Sequence, residues 1–321
     1  MTDTTHMPPV HVAFGVDASY FRGMGVMITS IVEHNPTLPF VFHVFAFSVS
    51  DENRQRIEGL ARQHSLTIQV HVLDADALAE FSRFPCFKQH SLGTFIRLLV
   101  PDLLKNVAAN VLYLDADMLC FGDISGLIAT DIQDYIAAAV HDERDTTAKT
   151  QIPALGLKSG QYFNAGVMYI NTANWVTHDI QKKALTALTT MPLVFADQDA
   201  LNIVLDGKVL YVDERWNYRY HLVTFLSRGI TRFGVNVPHA LTHFTGPVKP
   251  WHSWCTHEAK HMFLDYQSRS AWSDLPLDPP RSVRDLKLFS KFLIRQNRLP
   301  EGIYWHLKYL WAKLAQRFSA R

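Results

Sequence analysis

Residues 110–117 have the sequence Asn-Val-Leu-Tyr-Leu-Asp-Ala-Asp, and an apolar segment, Met118 to Ile124, follows them. The first five residues, Asn110 to Leu114, predict a short buried strand. In open α/β sheets, ligands bind beyond the carboxyl ends of the strands. Asp115 and Asp117 stand at such an end, and both can point at one cation. Their oxygens favour a hard divalent ion such as Mg²⁺ or Mn²⁺.

A second Asp-Ala-Asp stands at Asp74 to Asp76. Most Asp-x-Asp sequences are turns or helix caps, because the short side chain bonds nearby backbone N–H groups. The segment from Ala75 to Phe81 is typical of a helix start, so we interpret this copy as a cap. Asp115 and Asp117 differ, because an apolar segment follows them.

Strand-like and helix-like segments alternate on both sides of this stretch. Further strands are expected at residues 10–16, 40–47, 67–73, 162–170 and 209–212. The first is followed by a helix that stops near Asn35-Pro36, and the second by an amphipathic helix that Ser50 caps. This alternation predicts βαβ units in an α/β fold with a mostly parallel sheet. Asp274 to Pro280 cannot lie inside a helix and predicts a boundary.

The composition limits the class of protein. With 48% hydrophobic and 19% charged residues, the 321-residue chain can bury a large core. A net charge of +1 argues against a protein that binds nucleic acid through its overall charge. Cys86, Cys120 and Cys255 form neither a disulfide framework nor a zinc motif, and they fit a reducing compartment. Since no signal peptide or spanning segment is recognisable, a cytoplasmic protein is expected.

A second group of polar residues lies in the segment HFTGPVKPW, residues 243–251. His243 can supply a nitrogen ligand, Gly246 permits a close backbone approach, and Lys249 offers a charge for phosphate. A histidine in an aromatic segment is otherwise most often a core residue with its hydrogen bonds satisfied. The segment alone leaves both interpretations open.

Six blocks of sequence, taken in order, carry a resemblance to a known family. They are VAFGVDASY (12–20), GTFIRLLVPDLL (93–104), VLYLDADMLCFGDI (111–124), YFNAGVMYIN (162–171), DQDALN (197–202) and HFTGPVKPW (243–251). Together they resemble family 8 of the retaining glycosyltransferases, most closely the bacterial lipopolysaccharide-core glucosyl- and galactosyltransferases. The resemblance implies a GT-A type nucleotide-diphospho-sugar transferase fold, with a mixed, mostly parallel sheet between helices and a small helical C-terminal extension. We therefore expect a catalytic domain at 1–262, a linker at 263–280 and a C-terminal region at 281–321.

The resemblance also implies roles for individual residues. It implies Mn²⁺ or Mg²⁺ held by Asp115, Asp117 and His243. The nucleotide of a UDP-sugar is expected against Gly15, Val16, Asp17, Tyr20, Asp115, Ala116 and Asp117, and its diphosphate against Gly246 and Lys249. The transferred sugar is expected at four catalytic residues: Arg97, Asn164, Asp197 and Gln198. Retention by a covalent intermediate or by front-face attack stays open; Gln198 is a poor nucleophile, and Asp199 is the nearest carboxylate besides Asp197.

The implied function is α-linked transfer of a hexose from UDP-glucose or UDP-galactose to the lipopolysaccharide core. One alternative is a protein that binds a UDP-sugar without catalysis. The other is a zinc metallopeptidase, because His257-Glu258-x-x-His261 satisfies the H-E-x-x-H pattern. Neither the donor sugar nor the acceptor linkage can be read from these residues.

The C-terminal region differs from the rest in charge. Residues 281–321 contain ten Lys and Arg but only two acidic residues, Asp285 and Glu301, so the remaining chain is net acidic. Aromatic and aliphatic residues recur between the basic ones at helical spacing. This combination favours an anionic membrane surface as a partner and predicts peripheral association with the inner membrane. The alternative is an ordinary solvated helix face.

Overall fold

The computed structural model describes residues 8–74, 92–142, 145–234 and 239–319. The strands among them are β1 Val10–Gly15, β2 Phe40–Ala46, β3 Thr67–Val72, β4 Asn110–Leu114, β5 Met118–Cys120, β6 Ala137–His141, β7 Phe163–Asn171, β8 Val209–Tyr211, β9 Tyr218–Arg219 and β10 Leu241–His243. The α-helices are α1 Phe21–His34, α2 Asp51–His64, α3 Ile96–Leu104, α4 Ser125–Ile128, α5 Asp145–Leu155, α6 Thr172–Thr177, α7 Ile180–Thr190, α8 Ala196–Val204, α9 Leu222–Ser227, α10 Ala259–Ser268, α11 Val283–Arg295 and α12 Leu299–Ser319. Short 3-10 helices lie at Leu92–Phe95 and Glu214–Trp216.

The first three strands and the two helices between them lie where the sequence predicts them. Helix α1 ends at His34, just before Asn35-Pro36. Ser50 caps α2, since its side chain accepts a hydrogen bond from Asn53 N at 3.2 Å. The helix start expected at 75–81, with Asp76, lies outside the described residues, and so does Cys86.

The central sheet has seven strands in the order β3-β2-β1-β4-β7-β6-β8. Neighbours in β3-β2-β1-β4 are parallel, as are β6 and β8, whereas β7 is antiparallel to both β4 and β6. The expected mixed, mostly parallel sheet is confirmed. Because β7 runs antiparallel, its start at Phe163 and Asn164 lies at the same edge as the carboxyl ends of β1 and β4. This edge therefore collects side chains from three strands.

The helices bury one apolar face each against this sheet. Helix α3 is buried at almost every position from Ile96 to Leu104, and its apolar side chains share a core cluster with β4, β7 and Trp175. Burial of this kind stabilises the fold by about 25 cal/mol for each Å² of apolar surface. The core fixes the position of α3, and with it the position of Arg97.

Three histidines on adjacent strands form a hydrogen-bonded row. His11 Nδ1 lies 2.9 Å from His43 Nε2, and His43 Nδ1 lies 3.1 Å from His71 Nε2. Burial, together with the smaller effect of the neighbouring imidazoles of His11 and His71, lowers the pKa of His43 to about 4. The native sheet therefore holds His43 neutral.

We expect the Tm to fall as the pH drops from 7 to 5. The unfolded chain takes up protons below about pH 6.5, while native His43 stays neutral until about pH 4, so acid favours the unfolded state. His43→Phe should flatten this dependence, and His261→Gln, at an exposed histidine, should leave it unchanged. Thermal unfolding followed by circular dichroism measures both, and an unaltered slope in His43→Phe would contradict the assignment.

The chain divides into two compact units. The first contains residues 1–218 and 239–242, and the second contains 219–238 and 243–321. Three short strands form a second sheet in the order β5-β10-β9. The first two residues of β10 belong to the first unit, and its last residue, His243, belongs to the second.

The second unit has a core of its own, and the C-terminal helices are part of it. The Trp254 and Phe292 rings stack with centroids 6.4 Å apart, and Gln296 Nε2 donates to Thr256 Oγ1 at 2.6 Å. The expected helical character of the C-terminal region is confirmed. Residues 263–280, expected as a linker, include most of α10 and the fully buried Trp272. No described helix is both long enough and apolar enough to span a membrane.

Candidate active site

A cavity of about 330 Å³ lies at the edge where β1 and β4 end. It is lined by Gly15, Asp17, Tyr20, Gly93, Thr94, Arg97, Tyr113, Asp115, Ala116 and Asp117. Seven of these residues were predicted to bind the nucleotide, the metal or the sugar. The parallel pairing of β1 with β4 explains why residues 15–20 and 115–117 meet there.

Three potential metal ligands lie together among the described residues. One ligand atom from each of Asp115, Asp117 and His243 lies within 4.8 Å of the other two. Asp115 and Asp117 follow β4, and His243 is the last residue of β10. Asp117 and His243 are only 8% and 4% exposed, so water competes little for them. Two carboxylates and one imidazole are a donor set that fits Mn²⁺ or Mg²⁺.

Arg97 links the β4 end to helix α8. Its Nη2 lies 2.8 Å from Asp115 Oδ1, its Nε lies 2.9 Å from Asp197 Oδ2, and its Nη1 donates to Ala165 O at 2.7 Å. Burial alone would lower the pKa of Arg97, but the Asp115 carboxylate, followed by Tyr113 and Asp197, raises it above its ordinary value. The guanidinium is therefore a permanent cation that holds the carboxylates of Asp115, which lines the cavity, and of Asp197 on α8.

Asn164 and Gln198 are joined directly. Asn164 Nδ2 donates to Gln198 Oε1 at 2.8 Å, and Asn217 Nδ2 donates to Asn164 Oδ1 at 2.9 Å. Asn164 is the second residue of β7, and Gln198 is in the first turn of α8. The structure thus brings the four predicted catalytic residues to one edge of the sheet, as the pair Asn164–Gln198 and the ion pair Arg97–Asp197.

Asp199 is not available as an open carboxylate. Its Oδ1 accepts from Tyr162 Oη at 2.6 Å, and its Oδ2 accepts from Val194 N and Phe195 N, both at 2.8 Å. The side chain is fully buried. Asp199 stands next to Gln198 in the sequence, which made it a candidate for the carboxylate of a covalent intermediate. Both of its oxygens, however, accept hydrogen bonds from neighbouring protein groups.

The residues predicted to contact the base form the end of β1 and the turn after it. A Cβ on Gly15 would stand 2.9 Å from Ile96 Cβ, so glycine is required there. Val16 is 1% exposed, its N–H donates to Phe45 O at 2.9 Å, and it is not among the residues that line the cavity. Asp17 Oδ1 accepts from Ser19 N at 2.9 Å. Asp17 and Tyr20 line the cavity.

The predicted diphosphate residues, Gly246 and Lys249, belong to the second unit. Gly246 has a φ of 88°, and a Cβ there would overlap the His221 ring. Lys249 is buried, and its Nζ donates to Phe244 O at 2.9 Å. Both residues therefore have fixed positions, and no other side chain fits at 246.

The metallopeptidase pattern does not have the geometry that a zinc site needs. Helix α10 begins at Ala259, so His257 lies ahead of it and the two histidines do not share a helical face. His257 Nε2 bonds Tyr220 Oη at 2.9 Å, and its Nδ1 bonds Ala259 N at 3.1 Å. Burial lowers the pKa of His257 to about 4. His257 is a core histidine with both nitrogens satisfied.

Sequence reasoning missed several residues of this edge. Tyr113 lies beneath the guanidinium of Arg97, with 5.1 Å between Cζ and the ring centroid, and Gly93 and Thr94 line the cavity. All three fall inside blocks of sequence already singled out, which was the available signal. Asn217 follows a 3-10 helix far along the chain, and no local pattern indicated it.

Comparisons with known proteins agree with this geometry. The family described as Glycosyl transferase family 8 matches residues 11–255, and its C-terminal companion, Glycosyl transferase family 8 C-terminal, matches 259–313. A lipopolysaccharide 1,3-galactosyltransferase of Salmonella typhimurium is 33% identical, with 95% of this chain and 92% of the relative covered. A lipopolysaccharide 1,2-glucosyltransferase of Escherichia coli is 32% identical, with 95% and 91% covered.

A solved structure shows the same fold. The galactosyltransferase LgtC, in complex with donor and acceptor sugar analogues, is 27% identical with a TM-score of 0.70, covering 83% of this chain and 98% of that one. The fold and the carboxylate-lined edge define a GT-A type glycosyltransferase. The chain belongs to glycosyl transferase family 8.

Proposed function

We propose that this glycosyltransferase transfers a hexose, glucose or galactose, from a UDP-sugar to the core oligosaccharide of lipopolysaccharide with retention, as an α-linkage. The observation that carries the proposal is the grouping of Asp115, Asp117 and His243, of which the two aspartates line the cavity. Relatives that match over nearly the whole chain are named for lipopolysaccharide galactosyl and glucosyl transfer, which supports the acceptor class.

The residues of this edge have complementary tasks in the proposed reaction. Asp115, Asp117 and His243 would hold Mn²⁺ or Mg²⁺, which when bound neutralises charge on the diphosphate leaving group. Lys249 and the backbone at Gly246 would bind the same diphosphate, and Tyr20 would stack on the base. Arg97 fixes Asp197, which with Asn164 and Gln198 orients the sugar. Orientation and fixed charges of this kind lower the barrier to sugar transfer.

A release assay tests the proposal. UDP release should be measured with UDP-glucose, UDP-galactose and UDP-N-acetylglucosamine, each with truncated lipopolysaccharide cores. We expect one hexose donor to turn over with one core acceptor, and NMR of the product to show an α-anomer. A β-linked product, or no turnover with any core acceptor, would contradict the proposal.

Asp197 should act on the sugar and not on the nucleotide. It lies in the first turn of α8, where it contacts Arg97, and it is not among the residues that line the cavity with Gly15, Asp17 and Tyr20. Asp197→Asn is expected to lower kcat by about 100-fold while UDP affinity, measured by calorimetry, changes less than about threefold. An equal loss of UDP affinity would place Asp197 at the nucleotide instead.

We further propose that helix α12 binds an anionic membrane surface, which would hold a cytoplasmic enzyme at the inner membrane beside a lipid-linked acceptor. One face of α12 exposes a stripe of large apolar side chains. They are Leu299, Ile303, Leu307, Leu310, Trp311, Leu314 and Phe318. Trp311 and Phe318 are each 75% exposed. At about 100° per residue, Lys308 and Lys313 fall on opposite flanks of that stripe. An apolar face with basic flanks suits the headgroup region of an anionic bilayer.

Helix α11, whose Ser290 Oγ donates to Gly302 O of α12, carries a row of basic residues. Arg284, Lys287, Lys291 and Arg295 recur at spacings of three and four and are all exposed. Each basic residue near an anionic surface contributes about 1 kcal/mol. Because α11 also packs on Trp254, deleting the whole region would disturb the second unit, so substitutions test the proposal better than truncation.

We expect the wild-type protein to co-sediment with phosphatidylglycerol vesicles at low ionic strength and to be released by high salt, since salt shortens the Debye length. Trp311→Ser with Phe318→Ser should remain in the supernatant and still turn over a soluble acceptor. Leu103→Ser with Val107→Ser, which are half exposed on the first unit, is the matched control and should sediment normally. Equal sedimentation of all three proteins would exclude α12 as the membrane surface.

A further inference from the structure

The side-chain amide of Gln198 has buried partners at both ends. Its Oε1 accepts from Asn164 Nδ2 at 2.8 Å and from Ala165 N at 3.3 Å. Its Nε2 donates to Asp142 Oδ2 at 3.3 Å and to Tyr162 Oη at 3.1 Å. A backbone N–H can only donate and an ionised carboxylate can only accept. The amide therefore has one orientation, with its oxygen toward β7.

Tyr162 accepts from Gln198 because its own proton is already committed. The hydroxyl donates to Asp199 Oδ1 at 2.6 Å, which leaves its lone pairs for the Gln198 NH₂ group. Burial raises the pKa of Tyr162, and the hydrogen bond to the Asp199 carboxylate raises it further. The phenol stays protonated, and the direction of its O–H bond is set by Asp199.

Asp199 also holds the turn that carries the site residues into α8. Ala196 has a φ of 39°, in the left-handed region that residues other than glycine rarely adopt. The two N–H groups just before it, of Val194 and Phe195, both donate to Asp199 Oδ2. Asp197 and Gln198 follow Ala196 directly, so this turn sets where both begin.

We propose that Tyr162 and Asp199 are positioning residues that fix the amide of Gln198 for the sugar-transfer step. The carboxylate directs the phenol proton, and the phenol then directs the amide, so hydrogen-bond polarity passes from Asp199 to Gln198. The inference rests on the proposed contact between Gln198 and the transferred sugar. In this role Asp199 acts through Tyr162 and through the turn at residues 194–196, and not as a nucleophile.

Asp199→Asn keeps the shape of the side chain but replaces one acceptor oxygen with an NH₂ group that donates. If its oxygen keeps the two backbone N–H groups, its NH₂ group faces Tyr162 and donates to the phenol. The phenol proton must then turn toward Gln198, where an NH₂ group already donates, and Ala165 N and Asp142 oppose a flip of the amide. We expect kcat to fall by about 100-fold and the KM for the donor to stay within about twofold.

Tyr162→Phe removes one acceptor without reversing polarity, and kcat should fall by about tenfold. Tyr169→Phe is the matched control, because that buried tyrosine of β7 bonds Asn110 at the other end of the strand; its kcat should equal the wild-type value. UDP affinity should be unchanged in all three variants.

Gln198→Ala distinguishes a failure of the positioning role of Tyr162 and Asp199 from a failure of the proposed contact between Gln198 and the sugar. If Gln198→Ala is inactive while Asp199→Asn and Tyr162→Phe keep the wild-type kcat, the positioning role is wrong and the proposed function stands. If Gln198→Ala itself keeps the wild-type kcat, the role of Gln198 is wrong and the inference falls with it. Losses of kcat that merely follow a loss of UDP affinity would also overturn the inference, and Tyr162→Phe decides alone if Asp199→Asn does not fold.

Discussion

Replacing Asp117 with alanine is expected to lower kcat for sugar transfer by about 10³-fold. Asp117 is buried at the end of β4 and lies with Asp115 and His243 in the one group of three potential metal ligands among the described residues. Removing it leaves too few ligands to hold the cation that balances the leaving diphosphate. Steady-state rates with the preferred UDP-sugar measure the effect.

The fold of the Asp117→Ala protein should remain intact, because the carboxylate lies at the edge of the sheet and not in its core. Circular dichroism and the Tm check this. Asp74→Ala, in the second Asp-Ala-Asp, is the matched control and should retain the wild-type rate, since Asp74 is exposed beyond β3. A folded Asp117→Ala enzyme with full activity would end the assignment.

Arg97→Met is expected to lower the free energy of unfolding by about 3–5 kcal/mol and to abolish transfer. The guanidinium balances Asp115 and the buried Asp197 at 2.8 and 2.9 Å. Methionine fills much of the space but leaves both carboxylates without their cation. Urea denaturation measures the loss of stability.

A double substitution tests whether the unbalanced charge is the cause. Arg97→Met combined with Asp197→Asn removes one of the stranded carboxylates, so the double variant should be more stable than Arg97→Met alone. Transfer should stay lost in both. If the changes in the free energy of unfolding caused by the two substitutions are additive, the ion pair contributes little to stability, and Arg97 acts through packing alone.

Local sequence was enough to predict the elements that build the site edge. The apolar run at 110–114 gave β4, and Ser50 gave the start of α2, because these signals depend on neighbouring residues only. Strand β6, Ala137–His141, was missed because its run of alanines has no alternation and little β-propensity. The antiparallel direction of β7 was also beyond local reasoning, since tertiary packing sets it.

The same limit applies to the candidate site. Short motifs and a family resemblance pointed to Asp115, Asp117 and Arg97, but the bridge that Arg97 makes between two carboxylates is a long-range contact. His257 shows the reverse case, because a five-residue pattern offered a metal ligand only as an alternative, and the structure has a core histidine bonded to Tyr220. Patterns name candidate residues, and burial with hydrogen bonding decides between them.

The dependence of UDP binding on a divalent ion tests the central claim most directly. Isothermal titration calorimetry should be carried out with UDP in Mn²⁺ and, separately, in EDTA, on the wild-type protein and on His243→Ala. We predict that the wild-type protein binds UDP at least about tenfold more tightly with Mn²⁺, a difference of about 1.4 kcal/mol, and that His243→Ala loses most of this gain. Equal UDP affinity with and without the metal in the wild-type protein would contradict it.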